Sequence, residues 1–104
     1  MSKKICSISE QADFDMDDIY HYTLMKWSKE QADRYYNLIL DEIDYICIAP
    51  NSGKQITHVK RAYNVSKVKS HLIYYRLNET DVIEIIRILH EKMDIGNKLE
   101  DWFF

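Results

Sequence analysis

His71-Leu72-Ile73-Tyr74-Tyr75-Arg76-Leu77, a polar Asn78-Glu79-Thr80 turn, and Asp81-Val82-Ile83-Glu84-Ile85-Ile86-Arg87-Ile88-Leu89-His90 form the stretch that decides the fold. Two runs rich in β-branched and aromatic residues, joined by a short polar turn, read as an antiparallel hairpin. In the second run strict alternation puts Val82, Ile86 and Ile88 on one side and Ile83, Ile85 and Leu89 on the other. Apolar residues on both sides mark a central strand covered on both faces. Arg87 falls among Ile83, Ile85 and Leu89, so the plainer expectation is a packed Arg whose head pairs with a carboxylate. For His90, a strand-end imidazole with a satisfied hydrogen bond is the plainer reading.

Working upstream, Val59-Lys60-Arg61-Ala62-Tyr63-Asn64-Val65 alternates as a strand and Ser66 to Ser70 is a basic turn, which makes a three-stranded meander. Residues 51–58 hold Asn51-Ser52-Gly53 and no apolar period, and read as a loop. Before Pro50 the period changes. Ala12, Met16, Ile19, Tyr20, Thr23 and Trp27 recur at helical spacing after Ser9, a helix-capping residue followed by an acidic first turn. Ser28 with Gln31 three residues on is a second capping signal, and Ala32, Tyr35, Tyr36, Ile39, Ile43 and Ile46 mark the buried side of a second helix that ends before Pro50. So short a connection folds the two helices into an antiparallel pair. Lys4 to Ser9 is a first short strand, placed beside the last one. The expectation is an α+β domain over residues 1–104: an N-terminal strand, an α-helical hairpin on one face of a twisted sheet, the three-stranded antiparallel meander, and a short C-terminal helix or tail.

The 104 residues suffice for one domain, and 46% hydrophobic with 30% charged residues is the balance of a packed globular chain rather than a disordered one. A formal charge of −3 argues against a broadly basic nucleic-acid surface. The distribution is uneven. Glu10, Asp13, Asp15, Asp17 and Asp18 crowd the first helix, whereas Lys54, Lys60, Arg61, Lys67, Lys69 and Arg76 fall in a stretch without acids. That basic region suits an acidic polypeptide as well as a phosphate backbone. Cys6 and Cys47 lie far apart in apolar contexts and read as buried reduced thiols; they and the four histidines show no metal-ligand spacing, so no metal and no cofactor is expected. Neither a secretory signal nor an apolar run of membrane-spanning length is present, which implies a cytoplasmic protein without membrane contact.

Several segments resemble the ParE branch of the RelE/ParE toxin superfamily. Asp18-Ile19-Tyr20-His21-Tyr22-Thr23 with Trp27 resembles its first helix, and Gln31-Ala32-Asp33-Arg34-Tyr35 the start of its second. Lys60-Arg61-Ala62-Tyr63, Ser70 to Arg76, and Ile86-Arg87-Ile88-Leu89-His90 with Met93-Asp94-Ile95 match its strands in order. Ala49-Pro50-Asn51 inverts the family's Asn-Pro order, and the tail runs on past the point where other members end. The resemblance implies a RelE/ParE-like fold and the toxin of a bacterial type II toxin–antitoxin module of the plasmid-stabilisation kind. Such a toxin is bound by a small, ParD-like or other antitoxin in a hetero-oligomer, and operator DNA is reached only through that antitoxin. It further implies a non-enzymatic inhibitor of DNA gyrase; a ribosome-dependent endoribonuclease of RelE type, or an inactive member that serves only antitoxin binding and autoregulation, are the alternatives.

No catalytic residue is expected for a gyrase inhibitor. Were the chain an RNase, Arg61, Arg76, Arg87 and His90 would be its candidates, because RNA cleavage needs positive groups around the scissile phosphate and a side chain that moves a proton. Lys60, Arg61, Tyr63, Lys67, Lys69, Tyr74 and Arg76 are the candidates for antitoxin binding, since Tyr and Arg dominate interface hot spots and cations suit an acidic partner. His90, Lys92, Met93, Trp102 and Phe103 are the candidates for target binding. The aromatic end, Trp102-Phe103-Phe104, either packs back on the sheet or marks a contact surface.

Overall fold

A computed structural model describes residues 5–58 and 61–93, with the side chains of 56–58, 61 and 62 excepted. Ser9 caps the first helix, α1 (Glu10–Lys26), by accepting from the Ala12 amide at 2.9 Å. Its hydroxyl also donates to the Ile86 carbonyl at 2.7 Å, so the same residue starts the helix and fastens it to the last strand. Ser28 caps α2 (Lys29–Ile48) through the Gln31 amide at 3.1 Å, and Pro50 opens a single 3-10 turn, Pro50–Ser52, that ends the helical run. The hairpin is locked near the turn that joins its helices. Tyr20 meets Tyr36 edge to face at 5.9 Å and donates to Asp33, which also holds Lys29 at 2.8 Å.

Five strands form one sheet in the order β1-β5-β4-β3-β2, where β1 is Cys6–Ile8, β2 Lys54–His58, β3 Arg61–Val68, β4 His71–Leu77 and β5 Ile83–His90. The first strand lies beside the last, parallel to it, with Cys6 opposite Ile83 and Ile8 opposite Ile85. All other pairings are antiparallel. The α+β architecture expected from the periodicities is thus present, with one added strand. Lys54-Gln55-Ile56-Thr57-His58 pairs with β3 instead of looping; an edge strand with one apolar residue carries no alternation to reveal it. The strand expected to end at Val65 continues to Val68, and the basic turn shrinks to Lys69 and Ser70, with Lys69 in the left-handed region at φ 55°.

The helices cover one face of the sheet. Ala12, Met16, Ile39, Ile43, Ile46 and Cys47 pack there against Val68, Ile73, Tyr75, Ile83, Ile85 and Ile88. Ile85 and Ile88 share this face only because a bulge interrupts alternation: Tyr75 pairs with Ile85 while Tyr74 pairs with Arg87, leaving Ile86 extra. Strict parity had placed Ile88 opposite Ile85, and the bulge overturns it. A second cluster, Tyr63, Val65, Tyr74 and Leu89 with Leu72 beside it, occupies the other face. Consecutive burial of Ile73, Tyr74 and Tyr75 shows β4 covered on both sides.

Two further expectations are corrected. Trp27 is 64% exposed, because it is the residue at which α1 stops and the stripe ends one turn earlier, at Thr23. Cys6 and Cys47 are joined as a disulfide with Cα atoms 6.0 Å apart, rather than standing as two reduced thiols. Sequence distance concealed that β1 and the last turn of α2 are neighbours in space. At the connection out of α2, the Tyr75 hydroxyl donates to the Pro50 carbonyl at 2.7 Å and accepts from the Gly53 amide at 3.1 Å. Gly53 is required there for space: a Cβ would collide with that hydroxyl and lie 2.9 Å from the Val65 carbonyl.

Candidate functional site

Two of the arginines that an RNA cut would need are held in ion pairs, and His90 lies opposite His71, at the far end of β4 from Arg76. Arg87, in the interior of β5, is held by Asp15 of α1 through two bonds, Nε to Oδ2 at 2.8 Å and Nη2 to Oδ1 at 2.9 Å. The same carboxylate accepts from the Ile88 amide at 2.9 Å, beyond the point where β1 stops covering that edge. Asp15 therefore ends the exposed ladder edge and neutralises the Arg in one stroke, and Arg87 is the packed, paired residue that its sequence context suggested. Burial and these hydrogen bonds are opposed: the bonds to Asp15 raise the Arg87 pKa and desolvation lowers it less. Arg76, at the other end of β4, is paired with Glu84 at 2.8 Å beside an open depression of about 430 Å³ at the β4–β5 turn.

His90 pairs across the ladder with His71, their rings edge to face at 5.3 Å. Its Nδ1 accepts from the Lys92 amide at 3.1 Å, the satisfied strand-end histidine expected. His71 in turn lies 2.6 Å from the Tyr35 hydroxyl, which is also 3.1 Å from the Val68 carbonyl. The hydroxyl has one proton to give, so the tautomer of His71 sets whether Nδ1 donates to Tyr35 or accepts from it. Desolvation first, and His90 second, push the His71 pKa down; Asp15 and Glu91 oppose them. Lys67 reaches Glu91 at 2.8 Å on the surface beside this pair.

Of the residues expected to bind an antitoxin, Lys67 and Lys69 are exposed on β3 and its turn, and Arg76 is partly exposed. Tyr63 and Tyr74 are interior, 3% and 1% exposed, with rings 5.9 Å apart. They are not the surface anchors expected, because both lie in the cluster on the second face of the sheet. Burial raises both phenols, Tyr74 to about 12 with a contribution from Tyr63. Arg61 opens β3 opposite His58. Lys60 lies outside the described residues, as do Trp102, Phe103 and the expected C-terminal helix or tail. Lys92 is exposed and Met93, 41% exposed, donates its amide to the His90 carbonyl.

Three participants went unrecognised in the sequence. Asp15 stood among the solvated acids of α1, yet its spacing from Ala12 and Ile19 puts it on the buried stripe, and that was the available signal. His71 and Tyr35 had none, since each is defined by a partner on another element. Among the described residues no helix is long and apolar enough to cross a membrane.

The family model for the ParE toxin of the type II toxin–antitoxin system parDE matches residues 7–95. Toxin ParE1 of Caulobacter vibrioides is 32% identical over 87 residues, 84% of this chain and 88% of its own length. Toxin ParE1 of Mycobacterium tuberculosis is 26% identical over 92 residues, 88% and 94% of the two chains. In fold, the chain is similar to a chain of the chromosomal ParDE system of P. aeruginosa, with TM-score 0.73 at 18% identity over 85% of this chain and 96% of that one. It is also similar to a chain of the RelBE2 toxin–antitoxin complex of Mycobacterium tuberculosis, with TM-score 0.59 at 13% identity over 86% and 99%. With its helical hairpin on a five-stranded sheet and this match over most of its length, the chain belongs to the ParE toxin family of type II toxin–antitoxin systems.

Proposed function

We propose that this toxin acts by binding DNA gyrase, not by cutting RNA, and that a small antitoxin neutralises it by lying across the sheet on the side away from the helices. The observation that supports the gyrase reading is the pairing of the basic groups: Arg87 is bound by Asp15, Arg76 by Glu84, and His90 stands beside His71 at the other end of β4 from Arg76. Cleavage would need such groups converging on one phosphate. Lys69, with Lys60 and Arg61, supplies cations for an acidic antitoxin segment, and Lys67 and Arg76 join them by exchanging Glu91 and Glu84 for the partner's carboxylates. Tyr63 and Tyr74 serve that contact only if the second face opens, since both rings are interior in the chain alone. His90, Lys92, Met93, Trp102 and Phe103 remain the proposed target contacts. Operator DNA is engaged through the antitoxin, in a cytoplasmic hetero-oligomer.

The deciding experiment is gyrase supercoiling with the purified chain, run with and without the product of the neighbouring short reading frame. Inhibition relieved by that product is expected; full supercoiling at a stoichiometric excess of toxin, with no growth arrest on induction, discards the proposal. One observation favours a second reading. The His71–His90 pair beside the Tyr35 hydroxyl offers two imidazoles for proton transfer, and ribosome-dependent cleavage through it predicts cut messages in translating extract that disappear in His90→Ala.

A further inference from the structure

We propose that the Cys6–Cys47 bond is a redox latch that holds β1 on the edge of the sheet and is opened by a protein dithiol of the thioredoxin class. β1 is the terminal strand of the sheet and pairs over three residues only, Cys6, Ser7 and Ile8 against Ile83, Glu84 and Ile85. Its flanking apolar side chains anchor it weakly, Ile5 being 72% and Ile8 44% exposed. Cys6 is the residue of β1 that packs against the main core, and its Sγ is bonded to Cys47 in the last turn of α2. The chain after β1 is fastened separately. Ser9 holds the Ile86 carbonyl and Asp15 the Ile88 amide, and neither contact depends on the disulfide. Release of β1 therefore stops at Ser9, leaving both helices and strands β2 to β5 in place.

Cys47 is 1% exposed whereas Cys6 is only partly buried, so the incoming thiolate attacks Sγ of Cys6. The Cys6–Cys47 bond breaks, Cys47 leaves as a thiolate and takes a proton, and a mixed disulfide joins Cys6 to the reductant. The reductant's second thiol then attacks its own mixed-disulfide sulfur and frees Cys6. Two electrons and two protons pass to the toxin, and the reductant ends as a disulfide; the disulfide form of the same class of protein closes the latch by the reverse steps. Opening bares the outer edge of β5 at Ile83 to Ile85, a row of backbone groups ready to pair with another strand.

Amide hydrogen exchange on the full chain, oxidised and then reduced in place with thioredoxin and its reductase, tests this directly. The Ile83 amide, which donates to the Ile5 carbonyl, and the amides of β1 should exchange at least about tenfold faster after reduction, with β4 amides at Ile73 and Tyr75 unchanged. A Cys6→Ser/Cys47→Ser chain should match the reduced pattern; reducing the wild-type chain in place decides the matter if that variant does not fold. Equal protection in both states, loss of protection throughout the sheet, or two free thiols in protein purified under air would each overturn the latch.

Discussion

Replacing Asp15 with alanine removes three hydrogen bonds at once: both from Arg87 and the one from the Ile88 amide. The carboxylate side chain is 11% exposed and the guanidinium side chain 20%, so each leaves an imperfectly solvated partner behind. An orphaned buried amide costs roughly 1–3 kcal/mol. Breaking a fully buried ion pair costs about 3–5 kcal/mol, and the residual exposure of Arg87 keeps this pair at or below the lower figure. The expected total is about 3 kcal/mol, a large share of the roughly 5–15 kcal/mol that holds a domain together. Urea unfolding of the oxidised chain, followed by circular dichroism, should show a midpoint lower by roughly 1–3 M. Asp15→Asn should lose less, because its amide oxygen still accepts from Ile88. Arg87→Ala should also lose less, because Asp15 keeps that same bond. In the double-mutant cycle the two single losses should exceed the double loss by about 1 kcal/mol or more. A loss under about 0.5 kcal/mol for Asp15→Ala, or strict additivity with Arg87→Ala, would refute the claim that this pair joins α1 to β5.

Gly53→Ala should destabilise the fold by about 1–3 kcal/mol through overpacking, and Tyr75→Phe in the same chain should recover part of the loss by deleting the colliding hydroxyl; thermal melts of the two chains check this. His71 carries a pH dependence whose sign follows from its lowered pKa. The unfolded chain binds the proton more readily, so the contribution of His71 is complete above the ordinary value of 6.5 and is lost as pH falls through the lower, folded value. Stability measured from pH 7.5 downward should decline below about 6.5, and His71→Gln should flatten that decline. The carboxylates whose pKa values are lowered by Lys partners, Asp33 by Lys29 and Glu91 by Lys67, lose their contributions further down, below their ordinary value near 4, so the two windows separate.

Much of the fold is legible because local chemistry and tertiary structure agree. Ser9 and Ser28 cap the helices, Pro50 ends the second, and the hairpin from His71 to His90 is the pair of strands that its composition announces. The candidate site is less legible. Its residues are defined by partners distant in sequence, Arg87 by Asp15 and His71 by both Tyr35 and His90, and no periodicity encodes such meetings. The extra strand Lys54–His58 escaped notice because an edge strand pairs through its backbone, which every sequence shares.

By itself the sequence determined the two helices and the strands before and after them other than Lys54–His58, the helical faces and the two-sided burial of the central strands, since each follows from the period of apolar residues within one segment. Tertiary structure alone decided which residues meet: the bulge at Ile86 that turns Ile88 toward the helices, the burial of Tyr63 and Tyr74, and the bonding of Cys6 to Cys47. Those outcomes depend on register and proximity between segments, and a one-residue shift in a strand reverses the face of every side chain beyond it.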